Sequence, residues 1–310
     1  MTARTALILG IDQYPHSPLQ ACGIDARRMQ ERLGRNYDGS ANYRCAVVTD
    51  ADQRLHRSTM MELMEKVFLS AADEIVLYFA GHGGVDRFGG FILAQDSHDG
   101  GTGIRMSEIV TMANRSDASQ VVILMDCCSA SAMAERDALA EGVSIITAAR
   151  EEEIAQAAGN GGLFTTTLCE ALDGGAADVR GFVTVSSTYA YVDESFGALQ
   201  QRPELKTHIS RLTPLRRCEP AVSDETLRML PELFPYAAAE YGLEPAHEPK
   251  ASPKDETREE IFGRLQRCRA AKLIEPVGHA HMYDAAMAKG SCRLTALGRH
   301  YRKMAAADRF

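Results

Sequence analysis

The sequence predicts an α/β protein: a mainly parallel sheet flanked by helices, followed by a small C-terminal α+β domain. Three observations lead there. Short apolar runs alternate with helical patterns over the first two-thirds of the chain, the signature of strands joined by crossover helices. Runs such as Val121-Val122-Ile123-Leu124-Met125 are apolar without alternation, as in strands covered on both faces. From Thr213 onward the composition changes: seven prolines, from Pro214 to Pro253, crowd into a short span.

The strand candidates, in order, are residues 6–11, 45–49, 74–79, 90–93, 120–125 and 143–148. Helices fall between them. Residues 23–33 carry Ala26, Met29 and Leu33 on one stripe, and 58–70 repeat the pattern with Met61, Met64, Val67 and Phe68. A third helix is expected over 162–172, after a glycine-rich stretch. The domain division is 1–215, a Pro-rich linker or helical connector over 216–255, and a module over 256–310. In the last, a helix (257–271), a short strand at 272–276, an extended piece with a turn at Gly290 and a final strand-to-helix segment from Arg293 are expected.

Composition narrows the function. The chain has 310 residues, 45% of them hydrophobic and 25% charged, and a formal net charge of −8, so the whole molecule is not built as a nucleic-acid binder. No stretch approaches the roughly 18 consecutive apolar residues that cross a bilayer. The first apolar run is too short for an export signal. The eight cysteines show no disulfide-like spacing, and a cytoplasmic protein with reduced thiols is expected.

Two segments carry chemistry. Tyr78-Phe79-Ala80-Gly81-His82-Gly83-Gly84 and Leu124-Met125-Asp126-Cys127-Cys128-Ser129 each end an apolar strand, where sites form in open α/β sheets. Amide attack by cysteine needs a thiolate, an imidazole to move the proton and N–H donors for the oxyanion. A neighbouring imidazolium also lowers the thiol pKa. Taken singly, His82 also suits a strand-end histidine bonded to a carbonyl, Cys128 a small core residue, and Asp126 and Asp25 helix or turn caps.

The 46-residue spacing from His82 to Cys128 is similar to the caspase spacing of roughly 50. Gly-His-Gly followed by Asp-x-Cys resembles the metacaspase branch of the caspase-like peptidases. Further matches lie in order along the chain: residues 6–14 resemble the opening strand, Ile24-Asp25-Ala26 the start of the first helix, and 145–150 with Ala155 the strand after the cysteine. Gly162-Leu163-Phe164-Thr165 resembles a later helix start, and Gln201-Arg202-Pro203 the close of the domain. The resemblance implies a cysteine endopeptidase with Cys128 as nucleophile, His82 as general acid/base, and the N–H groups of Gly83 and Cys128 as oxyanion hole. It also implies that Asp25 and Asp126 bind a lysine or arginine side chain of the substrate, through charge-assisted hydrogen bonds. Cys127 matches a variable position, expected to point to the core. After the cysteine the chain departs from the family: Ser129-Ala130-Ser131 stands where metacaspases have His-Ser-Gly.

Residues 129–141, containing Arg136, are expected to form an activation loop that a basic-specific enzyme would cut itself. Metacaspases are often calcium-stimulated; the acidic clusters at 96–99 and 151–153 follow no calcium-loop pattern but leave calcium open, and no other cofactor is expected. Cys268, His279, His281 and Cys292 lack zinc spacing.

Residues 257–304 hold ten Lys/Arg against four Asp/Glu, and their element order resembles a winged helix. A protein partner or activator is favoured there over DNA, beside a protein or peptide substrate at the first domain and no membrane. By resemblance the chain is a regulated effector of bacterial stress or defence. The alternative is a catalytically silent scaffold acting through the C-terminal module.

Overall fold

The computed structural model describes residues 2–97, 103–127, 138–148, 162–196, 203–248 and 255–310. It divides into two units, one of residues 1–177 and 182–219, the other of 178–181 and 220–310.

The first unit is built on a six-stranded sheet. Its strands are β1 (Arg4–Gly10), β2 (Arg44–Thr49), β3 (Glu74–Ala80), β7 (Gln120–Asp126), β8 (Val143–Thr147) and β10 (Glu204–His208), in the order β10-β8-β7-β3-β1-β2. All neighbours are parallel except β10, which runs antiparallel along β8. Both central strands, β3 and β7, are buried at every position, which is why their sequences do not alternate.

Helix α1 (Cys22–Gly34) lies on one face and seats Ala26, Met29 and Leu33 against Ala6, Ile8, Val76 and Tyr78. The same face carries α4 (Leu163–Glu170) and α5 (Val185–Glu194). Helices α2 (Arg57–Phe68) and α3 (Met106–Asn114) cover the other, where Met60, Met64, Phe68, Ile109 and Val110 meet Leu7, Ile75, Leu77 and Ile123. The mainly parallel sheet with helices on both faces is the architecture the sequence predicts.

Residues 90–93 are a difference of detail. They belong to a separate antiparallel sheet of β4 (Gly83–Asp86), β5 (Gly89–Ile92) and β6 (Ile104–Arg105). The turn between the first two uses Gly89 at φ 115°, a conformation open to glycine, so this stretch folds back as a hairpin instead of entering the main sheet. A two-stranded sheet of β9 (Phe182–Thr184) and β11 (Pro214–Arg217) completes the unit.

The second unit has α6 (Asp224–Arg228), α7 (Leu230–Leu233), β12 (Glu240–Gly242), α8 (Glu256–Ala270), β13 (Ile274–Pro276), α9 (Met282–Met287), β14 (Ser291–Leu294) and α10 (Ala296–Ala306). Its sheet is antiparallel with β14 in the middle, flanked by β12 and β13. The stretch expected to be extended around Met282 and Tyr283 is the short helix α9. Met282, Ala285 and Ala286 are buried at helical spacing, a period hidden by the brevity of the segment.

The span expected to be a Pro-rich linker or helical connector, 216–255, does hold short helices, α6 and α7, but they are packed into a core. Val222, Leu227, Leu230, Phe234 and Leu243 share one core with Phe262, Leu265, Ile274 and Leu294, so 220–248 is part of this unit's structure. The prolines shape short helices and turns within it, Pro231 occupying the first turn of α7, where no backbone N–H is needed.

Candidate active site

Strands β1, β3 and β7 end side by side, Gly10 beside Ala80 and Ala80 beside Asp126. The segments leaving these three strand ends build the site. After β1 the chain turns through Asp12 into α1. A Cβ on Gly10 would lie 2.5 Å from the Cys22 carbonyl oxygen, so only glycine lets the helix start this close to the strand. The Asp12 carboxylate caps α1 from across the turn: its two oxygens accept from the N–H groups of Cys22 (2.8 Å) and Gly23 (3.0 Å). This capping sets Asp25 in the first turn of α1, pointing inward at 3% exposure.

Asp126, the last residue of β7, is 2% exposed. One of its oxygens accepts from the Thr165 hydroxyl at 2.6 Å, and the Tyr78 hydroxyl stands 2.5 Å from Thr165 Oγ1. Because the Thr165 proton goes to the carboxylate, Tyr78 is the donor in that second bond. Asp25 in turn accepts from the Gly162 N–H at 2.8 Å and faces the Arg28 guanidinium at 3.3 Å. Both carboxylates are therefore held by the start of α4. Burial pushes the Asp25 carboxyl up to about 6, and the negative charge of Asp126 pushes in the same direction against the Gly162 N–H and Arg28.

His82 lies just beyond β3. The preceding Gly81 donates its N–H to the Asp126 carbonyl at 3.3 Å, so the His82 turn and the end of β7 are tied together. A side chain on Gly81 would meet the Tyr14 hydroxyl at 2.5 Å and the Phe79 ring at 2.6 Å. The His82 N–H donates to Tyr14 Oη (3.0 Å), and that hydroxyl donates to the Leu93 carbonyl (3.2 Å). The Tyr14 and His82 rings are 4.6 Å apart and tilted by 59°. On the imidazole, Nε2 is 2.7 Å from the Ser17 carbonyl, which only accepts; Nε2 therefore carries the proton and Nδ1 is the basic nitrogen.

Gly83 opens β4 and pairs with Ile92. The bond from the Leu93 N–H to the His82 carbonyl marks Gly83 and Ile92 as a non-hydrogen-bonded pair. In that register the Gly83 N–H points away from β5.

Thus the structure brings Asp25 together with Asp126, and His82 with the end of β7. Cys128 and Arg136 lie outside the described residues, as do 151–153 and 98–99 of the acidic clusters. Cys127 is fully buried among core residues including Met125. Among the described residues, no group of three or more His, Cys, Asp and Glu is placed to hold a metal ion. Cys268 and Cys292 are buried in the second unit's core, while His279 and His281 are exposed. No described helix is long and apolar enough to cross a membrane.

Sequence reasoning missed Tyr14, Thr165, Tyr78 and Arg28 as parts of the site. Tyr78 did leave a signal, since a tyrosine within an apolar buried strand needs a partner for its hydroxyl. The contact made by Arg28 had none.

A family model for the caspase domain matches residues 3–213. The chain belongs to the caspase domain family. That membership makes cysteine peptidase the general class of its first unit, with protein as the substrate. Among solved structures, the crystal structure of protein GSU0716 from Geobacter sulfurreducens is similar in fold: 16% identity, TM-score 0.52, covering 70% of this chain and 100% of that one. No curated protein matches the chain. In this caspase-family chain the strand ends that carry His82 and Asp126 are those of the neighbouring strands β3 and β7.

Proposed function

We propose that the chain is a cysteine endopeptidase that cleaves after arginine or lysine, using Cys128 as nucleophile and His82 as general acid/base. The observation that carries the specificity is the pair of buried carboxylates, Asp25 and Asp126, beside the strand ends that lead to His82 and Cys128. Two carboxylates in one apolar setting repel each other, and a guanidinium or ammonium entering between them relieves that repulsion with charge-assisted bonds. An aspartate side chain there would add a third negative charge.

The chemistry uses the geometry around His82. With Nε2–H fixed on the Ser17 carbonyl, Nδ1 takes the thiol proton of Cys128. The thiolate attacks the scissile carbonyl carbon, and the oxyanion is stabilised by the Gly83 and Cys128 N–H groups. His82 then returns the proton to the leaving amine as the C–N bond breaks. Water attacks the acyl-enzyme, giving up a proton to His82, and the thiol and the new carboxylate are released. Tyr14 holds the His82 backbone through these steps.

The second unit is a winged-helix-like adaptor that takes a protein partner. Its antiparallel sheet between helices supports the resemblance. Its charge supports a protein over DNA: residues 220–310 hold fourteen Lys/Arg against thirteen Asp/Glu, so the excess counted over 257–304 disappears within the folded unit. Arg258 pairs with Glu244 and Asp255, Arg264 with Glu225 and Glu260, and Arg293 with Glu275. A cavity of about 520 Å³ lined by Glu240, Glu275, Arg293 and Arg299 offers both signs of charge, unlike a phosphate-binding surface. The role that fits is a stress or defence effector whose partner releases activity, with self-cleavage at Arg136 as the maturation step.

Fluorogenic peptides ending in Arg, Lys or Asp test the reading. Turnover of the Arg and Lys peptides, abolished in Cys128→Ala and retained in Cys127→Ala, is the expected result. Turnover of the Asp peptide alone would reject the basic pocket.

A further inference from the structure

Arg28 lies one helical turn beyond Asp25 on α1, so its side chain shares the face that carries the acidic pocket. Its Nη1 is 3.3 Å from Asp25 Oδ1 and donates to Thr166 Oγ1 at 3.1 Å. Thr166 adjoins Thr165, the residue that holds Asp126. The guanidinium therefore sits at the seam of α1 and α4 along which both carboxylates are fixed. Described charged and titratable groups that act on or from Asp25 include Asp126 on β7, Tyr78 on β3, Cys169 on α4 and Arg28 itself. Arg28 is the cation among them.

We propose that Arg28 is a resident counter-cation of the acidic pocket and sets how tightly that pocket holds the basic side chain of a substrate. This rests on the function proposed above. The contact to Asp25 is longer than the 2.7–2.9 Å usual for charge-assisted bonds, and the Arg28 side chain is 26% exposed, so it is a loose partner. A substrate guanidinium seated on the carboxylates would bond them more closely while facing a like charge. Arg28 then acts in two opposed ways. It keeps Asp25 charged when the pocket is empty, which favours binding in mild acid. It also repels the incoming cation, which weakens binding where Asp25 is fully charged. Arg28 is a positioning and specificity residue; it touches neither Cys128 nor His82 in the chemistry proposed.

The test compares wild type, Arg28→Gln and Arg28→Lys as full chains, with kcat and KM for an arginyl peptide from pH 5 to 9. In Arg28→Gln the acid limb of kcat/KM is expected to move up by about one pH unit, the scale of a close opposite charge. Above the limb, KM is expected to fall by about tenfold, the equivalent of one unit of coupling. Arg28→Lys should keep both near wild type. An unmoved limb with unchanged KM overturns the proposal, as does a KM that rises above the limb, since that marks Arg28 as packing only. If Arg28→Gln does not fold, Arg28→Met takes its place in the same assay and is judged by the same outcomes. Carboxyl-carbon NMR of Asp25 in a Cys128→Ala background needs no turnover. If wild type neither cleaves a basic peptide nor is labelled at Cys128 by a thiol-reactive arginyl probe, the functional reading fails, and the Asp25 midpoint alone judges Arg28. A midpoint that rises on losing the guanidinium supports the proposal; a fixed one overturns it.

Discussion

Asp25→Asn should make the protein more stable above pH 6 while removing cleavage after basic residues. The magnitude comes from the burial of the carboxyl and its proximity to Asp126, which raise it from 3.8 to about 6. Each pKa unit is worth about 1.4 kcal/mol, so carrying this charge in the folded state costs about 3 kcal/mol at neutral pH. The sign comes from proton binding. Between pH 3.8 and 6 the unfolded chain has lost the proton and the folded chain keeps it, so stability falls as pH rises through that window. Below it both states are protonated and the cost is absent. An asparagine keeps an oxygen to accept from Gly162 and carries no charge, but gives up the Arg28 ion pair. A gain of about 1–3 kcal/mol at pH 8 is therefore expected, and a Tm higher by several degrees for a unit of this size. Thermal melts of wild type and variant at pH 4 and pH 8 read it directly, with the gain present at pH 8 and gone at pH 4. A variant equally or less stable at pH 8 would refute the reasoning, because Asp25 would then be compensated as a charge by its surroundings.

Three other substitutions probe separate parts. Tyr14→Phe removes the acceptor of the His82 N–H and the donor to Leu93; kcat should fall by about tenfold, the value of one such hydrogen bond, with KM little changed in steady-state assays. Thr165→Val strips a donor from Asp126 and a partner from Tyr78, so stability in urea should drop by about 1–3 kcal/mol and KM for an arginyl peptide should change. Gly298→Ala places a methyl 1.9 Å from the Leu273 carbonyl oxygen, and should lower the melting of the second unit while leaving peptide turnover by the first unchanged.

Much of the first unit was legible because its central strands are buried on both faces and so spell uninterrupted apolar runs. Asp126 and His82 could be placed at strand ends for the same reason. The β4–β5 hairpin was not, since Gly90-Phe91-Ile92-Leu93 is as apolar as a core strand and only the left-handed Gly89 turns it away. Proline density suggested a linker or helical connector over 216–255, but the buried Leu227, Leu230 and Phe234 show that prolines at helix starts and turns are compatible with a core. The basic excess at 257–304 is balanced in part by acidic partners, Glu225 and Glu244, that precede the counted window. The contacts of Tyr14 with His82 and of Arg28 with Thr166 span 68 and 138 residues, and no local pattern encodes either.

The central claim is that Cys128 is a nucleophile served by a pocket for a basic side chain. The most direct measurement is labelling of the full chain by a thiol-reactive arginyl probe, with the adduct located by peptide mass mapping. The account predicts stoichiometric modification of Cys128, suppressed in Asp25→Asn and competed by an arginyl peptide but not by an aspartyl one. Labelling at Cys22 or Cys45 instead, or labelling of Cys128 that is indifferent to Asp25 and to the competing peptide, would contradict it.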